Sequence, residues 1–560
     1  MALRKIINDP GEFVDEVLDG IVSAHPDAYR FASADKRAVV APATPGRVGI
    51  VTGGGSGHLP LFLGYVGSGL ATGVAVGNVF SSPSPAQIFA ATRAADGGNG
   101  VLYLYGNYGG DVYNFDLAAE MASAHGIPTR TVLGADDVLS APADRASTRR
   151  GIAGLVMVYK IAGAAADRGY TLDEVSMIAH RAADAVRTAG MGLAPTILPA
   201  AGRPTFTLAE GEMEVGVGIH GESGIATVPI ASADSIAGTL FEHLNAELEL
   251  PAGSRVAVLV NGLGATPLEE LYLLYSAIAR LAAERGAHIA YNFIGEYATS
   301  LEMAGASVSI MRLDSELEAL LNAPAQSPFY RPGTAISQPR EASATVEQAA
   351  AVQASHPTAD FESPLRSAFL ALAEQMPAHT DELRDLDAAL GDGDLGLTVS
   401  AGVAAMADRI SELPDTITSS ALMREAAMAF ASANPSTFAA LVGSGMLAAS
   451  TGIDDSRPLN REAAVAIGRA IAAAITAKGG AELGDKTLLD VLVPALDELD
   501  DGASPGHLHA FLERRVGEIA SWRSRRGRAA WHQERSIGLK DPGSVAVAYA
   551  LVILIESDPA

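Results

Sequence analysis

Three carboxylates within eight residues, Asp387, Asp392 and Asp394 in the stretch LDAALGDGDLGLT (Leu386–Thr398), have the make-up of a site for a hard, oxygen-seeking cation. Asp387 belongs to the last turn of an expected helix that ends near Gly391. Asp392 and Asp394 follow one residue apart, so an extended loop turns both carboxylates to one side, and the glycines among them leave room for polyphosphate. An EF-hand shares the D-x-D opening, but its fifth and twelfth positions counted from Asp392 are Gly396 and Val403, which offer no oxygen ligand. A solvated acidic turn is the plainer alternative. A second set is His58, Asp111 and His220, each in a glycine-rich segment: VTGGGSGHLP (Val51–Pro60), LYGNYGGD (Leu104–Asp111) and VGVGIHGESG (Val215–Gly224). Two imidazoles and a carboxylate at predicted strand ends could supply a nucleophile toward a carbonyl and partners for proton transfer. The plainer readings are a tight turn with a surface histidine at His58, a helix cap at Asp111 and a structural histidine at His220, although the flanking glycines put little bulk over that ring. The first loop has neither the Lys-Ser/Thr ending of a P-loop nor dinucleotide spacing.

The elements that must position these groups fall into two kinds. Over the first 320 or so residues, β-rich runs lead into glycine-rich loops: Arg47–Thr52, Val101–Tyr105 and Arg255–Val260. Helical patterns lie between them, clearest over Pro267–Arg285, where Leu268, Leu271, Leu274, Ile278 and Leu281 recur near helical spacing. This reads as α/β, with ligands gathering beyond the strand ends. Residues 323–362, rich in Pro, Ala, Ser and Gln, read as a linker with a short helix near Thr345–Ala354. Beyond it, Pro364–Met376, Ala421–Ser432, Arg461–Ala477 and Thr487–Leu499 are helical in pattern, and an all-helical second domain is expected. The domain bounds are thus 1–322 and 363–560.

Composition narrows the function. The formal net charge of −26 argues against a nucleic-acid surface, and the absence of cysteine excludes disulfides, thiolate nucleophiles and thiolate metal sites. The segment Met1–Pro10 lacks the apolar core of a signal peptide, and Val545–Ile555 falls short of a membrane span. A cytoplasmic protein is expected, with no membrane or nucleic-acid partner.

GGGSGH, NYGGD and GIHGE, followed by NGLGATPLEELY, TSLEMAG and the stretch Arg149–Ala166, resemble the substrate domain of the single-chain dihydroxyacetone kinases. The aspartate spacing, KGGAELGDKTLLDVLVPA (Lys478–Ala495) and GRAAWHQERSIGLKDPGS (Gly527–Ser544) resemble that family's nucleotide domain. The resemblance implies two α/β subdomains joined through the linker to an all-α helical barrel. It implies an ATP- and Mg²⁺-dependent kinase for a small ketose, a homodimer in solution. It implies that His220 holds the substrate carbonyl as a hemiaminal, that Asp111 takes the proton from the terminal hydroxyl, that His58 bonds the substrate, and that Gly55, Ser56 and Gly57 line the pocket. On the other side, Asp387, Asp392 and Asp394 would hold Mg²⁺ on the ATP phosphates. Leu395, Gly396, Thr398, Ser436, Thr437, Gly480, Arg528 and the turn Asp541–Pro542–Gly543 would border the nucleotide. Arg523, Arg525 and Arg526 complete a basic patch around Arg528, with a solvated loop as their plainer reading.

Several positions depart from the family pattern. Leu59 stands where Glu is usual, Gly106 where a substrate-contacting Lys is usual, Ser223 where Pro is usual, and Leu395 where Thr or His is usual. NPSTFAAL (Asn434–Leu441) replaces a glycine-rich loop, with Ser436 and Thr437 still able to offer hydroxyls. Losing a lysine at Gly106 leaves room, which favours a four-carbon ketose such as erythrulose over dihydroxyacetone. The competing functions are a ketose-sensing regulator, a phosphotransferase component fed by a phosphocarrier, and an FAD-AMP lyase type of side activity.

Overall fold

The structure, a computed structural model, describes residues 5–336, 357–359, 362–434, 436–526 and 528–557. It falls into two compact units divided between Ala344 and Thr345. Most of the expected linker, including the short helix near Thr345–Ala354, lies outside the described residues.

The first unit holds two sheets. The first has the spatial order Arg30–Phe31, Ala38–Val40, Gly73–Val79, Gly49–Ser56, Val101–Gly106, Thr129–Gly134. The last four of these run parallel, and the two short edge strands are antiparallel. Strands buried on both faces read as unbroken apolar runs, as Val101–Gly106 does. The second sheet is mixed, in the order Thr334–Ala335, His288–Gly295, Arg255–Gly262, Ala304–Arg312, Val186–Ala194, Glu212–Val215, Ala226–Pro229. Helices Ala233–Leu248 and Leu268–Glu284 pack their apolar stripes on it. The helix Leu155–Asp167 is apolar nearly all round, and its first twelve residues are buried in one core with side chains from both sheets. Asp136 fastens the two sheets: its carboxylate accepts from the Ile152 and Gly154 amides, and Thr188 Oγ1 of the second sheet donates to it.

The three consecutive glycines are not a loop, contrary to the sequence reading. Strand Gly49–Ser56 runs straight through them. The space a Cβ would take at Gly53 lies 2.8 Å from the Ala75 carbonyl, at Gly54 2.4 Å from the Phe62 ring, and at Gly55 2.6 Å from the Ser81 amide. These glycines exist for close approach of neighbours on both faces, and the turn comes only at Gly57, where φ is 103°.

In the second unit the described residues form nine α-helices and no strand beyond one isolated bridge, Thr358 to Ile417. The helices from Leu395–Ser411 to Pro542–Glu556 pack each on its successor, and Pro542–Glu556 returns against Pro364–Gln375, closing the ring that the helical-barrel expectation required. Leu383, Val399, Met406, Phe430, Val491 and Leu512 belong to the core inside it. No helix among the described residues is long and apolar enough to cross a membrane.

Candidate active site

His58 follows the strand Gly49–Ser56 and is 1% exposed. Its Nδ1 lies 2.8 Å from the Thr299 carbonyl, which can only accept, so Nδ1 carries the proton and Nε2 keeps its lone pair. Nε2 is buried with no protein partner. Burial, joined by the charge of His220 and opposed by the Thr299 bond, brings its pKa down to about 3, so the ring is neutral near pH 7. Phe80 stacks on it, ring centroids 4.8 Å apart at 14°, and adopts the left-handed backbone region at φ 58°, a conformation that costs energy outside glycine.

His220 has a side chain 21% exposed. Its neighbouring glycines do not leave it bare, as the sequence suggested, because rings from distant segments frame it. His58 stands edge-on at 4.8 Å, Tyr108 at 4.8 Å and Phe80 at 5.3 Å. Its Nδ1 meets Glu222 Oε1 at 2.9 Å.

Asp111 does not cap the helix that carries it. The N-cap of Gly109–Ala124 is Tyr108, with no side-chain cap bond. The Asp111 carboxylate is 6% exposed, and its Oδ1 has no protein partner. Burial raises its pKa to about 6, against the Ser82 hydrogen bond and the charge of His220. Native proteins rarely orphan buried polar atoms, and here three residues near His220 each hold one: His58 Nε2, Asp111 Oδ1 and Tyr108 Oη. That arrangement is suited to a small polyhydroxylated ligand bearing a carbonyl. Gly55, Ser56 and Gly57 border a small cavity shared with Leu59 and Phe62, and the amide of Phe80 bonds back to the Ser56 carbonyl at 3.0 Å. The room expected from Gly106 is partly taken: a Cβ there would lie 3.0 Å from the Tyr108 ring and 3.1 Å from the Gly151 carbonyl.

Sequence reasoning missed Phe80, Thr299, Arg150, Glu222 and the packing of Tyr108. Glu222, Tyr108, Arg150 and Thr299 sit inside motifs already singled out, so inspection of those motifs could have raised them. Thr299 is 241 positions from His58, and nothing local connects the two.

In the second unit Asp387, Asp392 and Asp394 each offer a carboxylate oxygen within 4.8 Å of the others. Asp387 closes the helix Thr380–Leu390, as expected. The loop beyond is not extended; Gly393 turns it at φ 76°, and Asp387 Oδ2 accepts from the Asp394 and Leu395 amides at 3.0 and 3.3 Å. A Cβ at Gly391 would lie 2.6 Å from Asp387 Oδ1, so a larger residue there would push on that carboxylate. A compact, oxygen-only, anionic donor set of this kind fits a hard divalent cation.

The remaining expected positions behave variously. Leu395 and Thr398 are buried, and Thr398 Oγ1 has no protein partner. A Cβ at Gly396 would strike the Thr380 carbonyl at 2.1 Å. Ser436 caps the helix Thr437–Ser450 by accepting from the Ala439 amide, while Thr437 is exposed. Gly480 ends the helix Arg461–Gly479 at φ 62°. Asp541 caps Pro542–Glu556 by accepting from the Ser544 amide at 2.7 Å; Pro542 is buried and Gly543 half-buried. Arg523 and Arg526 pair with Glu534 and Asp485, in keeping with a solvated loop. Arg528 opens a short 3-10 helix, Arg528–Ser536, but its side chain lies outside the described residues.

Both units have counterparts among known proteins. The Dak1 domain matches residues 19–329 and the DAK2 domain residues 389–556. An L-erythrulose 1-kinase of Mycolicibacterium smegmatis is 37% identical over 98% of this chain and 99% of its own length. A D-erythrulose kinase of the same organism is 36% identical over 98% and 97%. The crystal structure of the dihydroxyacetone kinase from C. freundii in complex with AMP-PNP and Mg²⁺ superposes with a TM-score of 0.64, 26% identity and full coverage of both chains. With both domains matched in order along one polypeptide and relatives of full length at this identity, the chain belongs to the dihydroxyacetone kinase family and is a kinase with an alcohol group as acceptor.

Proposed function

We propose that this kinase transfers the γ-phosphoryl group of ATP to a terminal hydroxyl of a short-chain ketose, erythrulose in preference to dihydroxyacetone, held as a hemiaminal on His220. The observation that carries this reading is that three residues near His220 each hold a buried polar atom with no protein partner: His58 Nε2, Asp111 Oδ1 and Tyr108 Oη. An imidazole beside a carbonyl selects ketones and aldehydes over plain alcohols, because only a carbonyl carbon accepts a nitrogen lone pair. Asp111, with its pKa raised to about 6, is ionised at neutral pH yet basic enough to draw the proton from a substrate hydroxyl. His58 offers Nε2 as acceptor to a second hydroxyl.

In the second unit Asp387, Asp392 and Asp394 would hold Mg²⁺, which when bound neutralises charge on the ATP phosphates. The nucleotide would be bordered by Gly396, Thr398, Ser436, Thr437, Gly480, Arg528 and the helix N-terminus at Asp541–Pro542–Gly543, where backbone amides and the helix dipole favour anions. The residue bounds 1–322 and 363–560 for the two functional domains are part of the same proposal. The erythrulose preference draws on the two full-length relatives named for that substrate and on Gly106.

ADP release with ATP and Mg²⁺ tests the reading against dihydroxyacetone, D-erythrulose, L-erythrulose, glyceraldehyde and glycerol, with His220→Ala alongside. Turnover of a ketose, none with glycerol and loss in the variant are expected. A clearly higher kcat/KM for dihydroxyacetone would overturn the erythrulose preference, and silence across the panel would overturn the reading itself.

A further inference from the structure

The segment that carries His220 also carries a glutamate two residues on, and both of its carboxylate oxygens turn back to that histidine. Glu222 Oε1 lies 2.9 Å from His220 Nδ1, and Oε2 accepts from the His220 backbone amide at 2.9 Å. The loop is folded to do this: the Gly218 amide bonds the Glu222 carbonyl, the Gly221 amide bonds the Gly218 carbonyl, and Gly221 takes φ 83°. Behind the carboxylate stands Arg150, its Nη1 3.8 Å from Oε2. Arg150 is in turn fixed by the buried Asp137, at 2.8 Å, and donates to the Gly216 carbonyl at 2.9 Å.

A carboxylate can only accept, so the bond to Glu222 places the proton of the neutral imidazole on Nδ1 and leaves the lone pair on Nε2. We infer that Glu222 is a positioning residue: it locks His220 as the Nδ1–H tautomer and so makes Nε2 the nucleophile toward the substrate carbonyl. This rests on the ketose-kinase reading for its chemistry, though not for its geometry. In the step it serves, Nε2 forms a bond to the carbonyl carbon and the C=O π pair moves to oxygen, which takes a proton from solvent. The ring then bears a positive charge, which the Glu222 carboxylate faces and stabilises while Nδ1 keeps its proton in the bond between them. The carboxylate is kept ionised for this purpose. Burial works to raise its pKa, but the hydrogen bond and charge of His220, with Arg150 behind, bring it down to about 2. The other titratable groups facing the pair are Asp137 behind the carboxylate and His58, Tyr108 and Asp111 around the ring.

Two donors converge on Glu222, and only a group with two acceptor oxygens satisfies both. Glutamine has the same shape but one acceptor. With its oxygen kept by the His220 amide, its NH₂ faces Nδ1 and forces the proton to Nε2, which removes the nucleophile without emptying any space. A substitution of this kind in a serine-protease triad gives the wrong tautomer and a large loss of rate.

Long-range ¹H–¹⁵N correlation spectra of the full-length protein, labelled at histidine and assigned for His220 by difference from His220→Ala, read the tautomer directly. The wild type is expected to show a protonated Nδ1 and a bare Nε2 at neutral pH, and Glu222→Gln the reverse. Ketose kcat/KM is expected to fall by about 10- to 100-fold or more in Glu222→Gln with the protein still folded at the assay temperature, and to recover in part in Glu222→Asp. A wild-type ring protonated on Nε2, an unchanged tautomer in Glu222→Gln, or a loss of activity with the tautomer unchanged would each overturn the inference. If no ketose is turned over by the wild type, the kinase reading fails by itself, and the spectra still decide the role of Glu222.

Discussion

At the scale of single residues, Asp111 shows a conflict between chemistry and stability. Its folded pKa of about 6 stands above the unfolded value of 3.8, so the proton-bound form is the one that folding favours. The stabilisation from that proton is complete below 3.8 and is lost as pH rises through about 6; at neutral pH the buried carboxylate is a cost. Asp111→Asn is therefore expected to lower kcat by at least about 100-fold while raising stability at pH 7 by an amount on the order of 1–3 kcal/mol, read as a higher denaturation midpoint. The same shift predicts that wild-type kcat/KM declines as pH falls through about 6, an arm that Asp111→Asn lacks. Gly106 is the second residue with a sharp expectation. An alanine Cβ there presses on the Tyr108 ring, which flanks His220, so Gly106→Ala should raise KM for erythrulose more than for dihydroxyacetone. Equal changes for the two ketoses would remove Tyr108 from the determinants of size.

At the scale of elements, the glycine-filled end of the strand Gly49–Ser56 holds the turn Phe80–Ser82 in place. That turn supplies the ring stacked on His58 and the hydroxyl bonded to Asp111. A Cβ at Gly55 would lie 2.6–2.8 Å from the backbone of Phe80 and Ser81, and backbone cannot yield as a side-chain tip can. Gly55→Ala is expected to cost about 1–3 kcal/mol in urea unfolding and to lower kcat as well, since both groups move together. In the second unit Lys486 has a similar organising part. It is 1% exposed, and its ammonium donates to the carbonyls of Ala520, Trp522 and Ser536 at 3.0, 2.9 and 2.7 Å. It thereby ties the end of helix Pro505–Ala520 to the segment that leads through the arginines to Ser536. Lys486→Met withdraws the donor from one buried and two partly buried acceptors, and a loss of about 2–4 kcal/mol is expected, together with a higher KM for ATP.

At the scale of the whole molecule, the two kinds of chemistry belong to separately built units: an α/β unit with the imidazoles and a helical unit with the acidic cluster. Binding of the ketose should therefore not depend on the metal. With EDTA present, ADP release is expected to vanish while ketose affinity, measured by calorimetry on the intact protein, stays within about twofold; Asp387→Asn should do the same, because a carboxamide is a poorer ligand for a hard cation. A large drop in ketose affinity on chelation would place a metal requirement in the first unit. The net charge of −26 adds a general effect: self-repulsion makes the protein more stable in moderate salt than at low ionic strength.

Whatever depends on neighbours along the chain could be read from the residues alone. Helical spacing gave Leu268–Glu284 and the helices of the second unit, because an apolar stripe is a local pattern. The close spacing of Asp387, Asp392 and Asp394 already implied that their carboxylates meet, and motif resemblance gave the family. The tertiary structure alone decided what surrounds those groups. That Thr299 fixes the proton of His58, that Phe80 and Tyr108 wall in His220, and that the three glycines form strand instead of loop are all consequences of contacts between distant segments. The tautomers and the pKa of Asp111 follow from burial and from partners supplied by the fold, and neither quantity exists until the chain has packed.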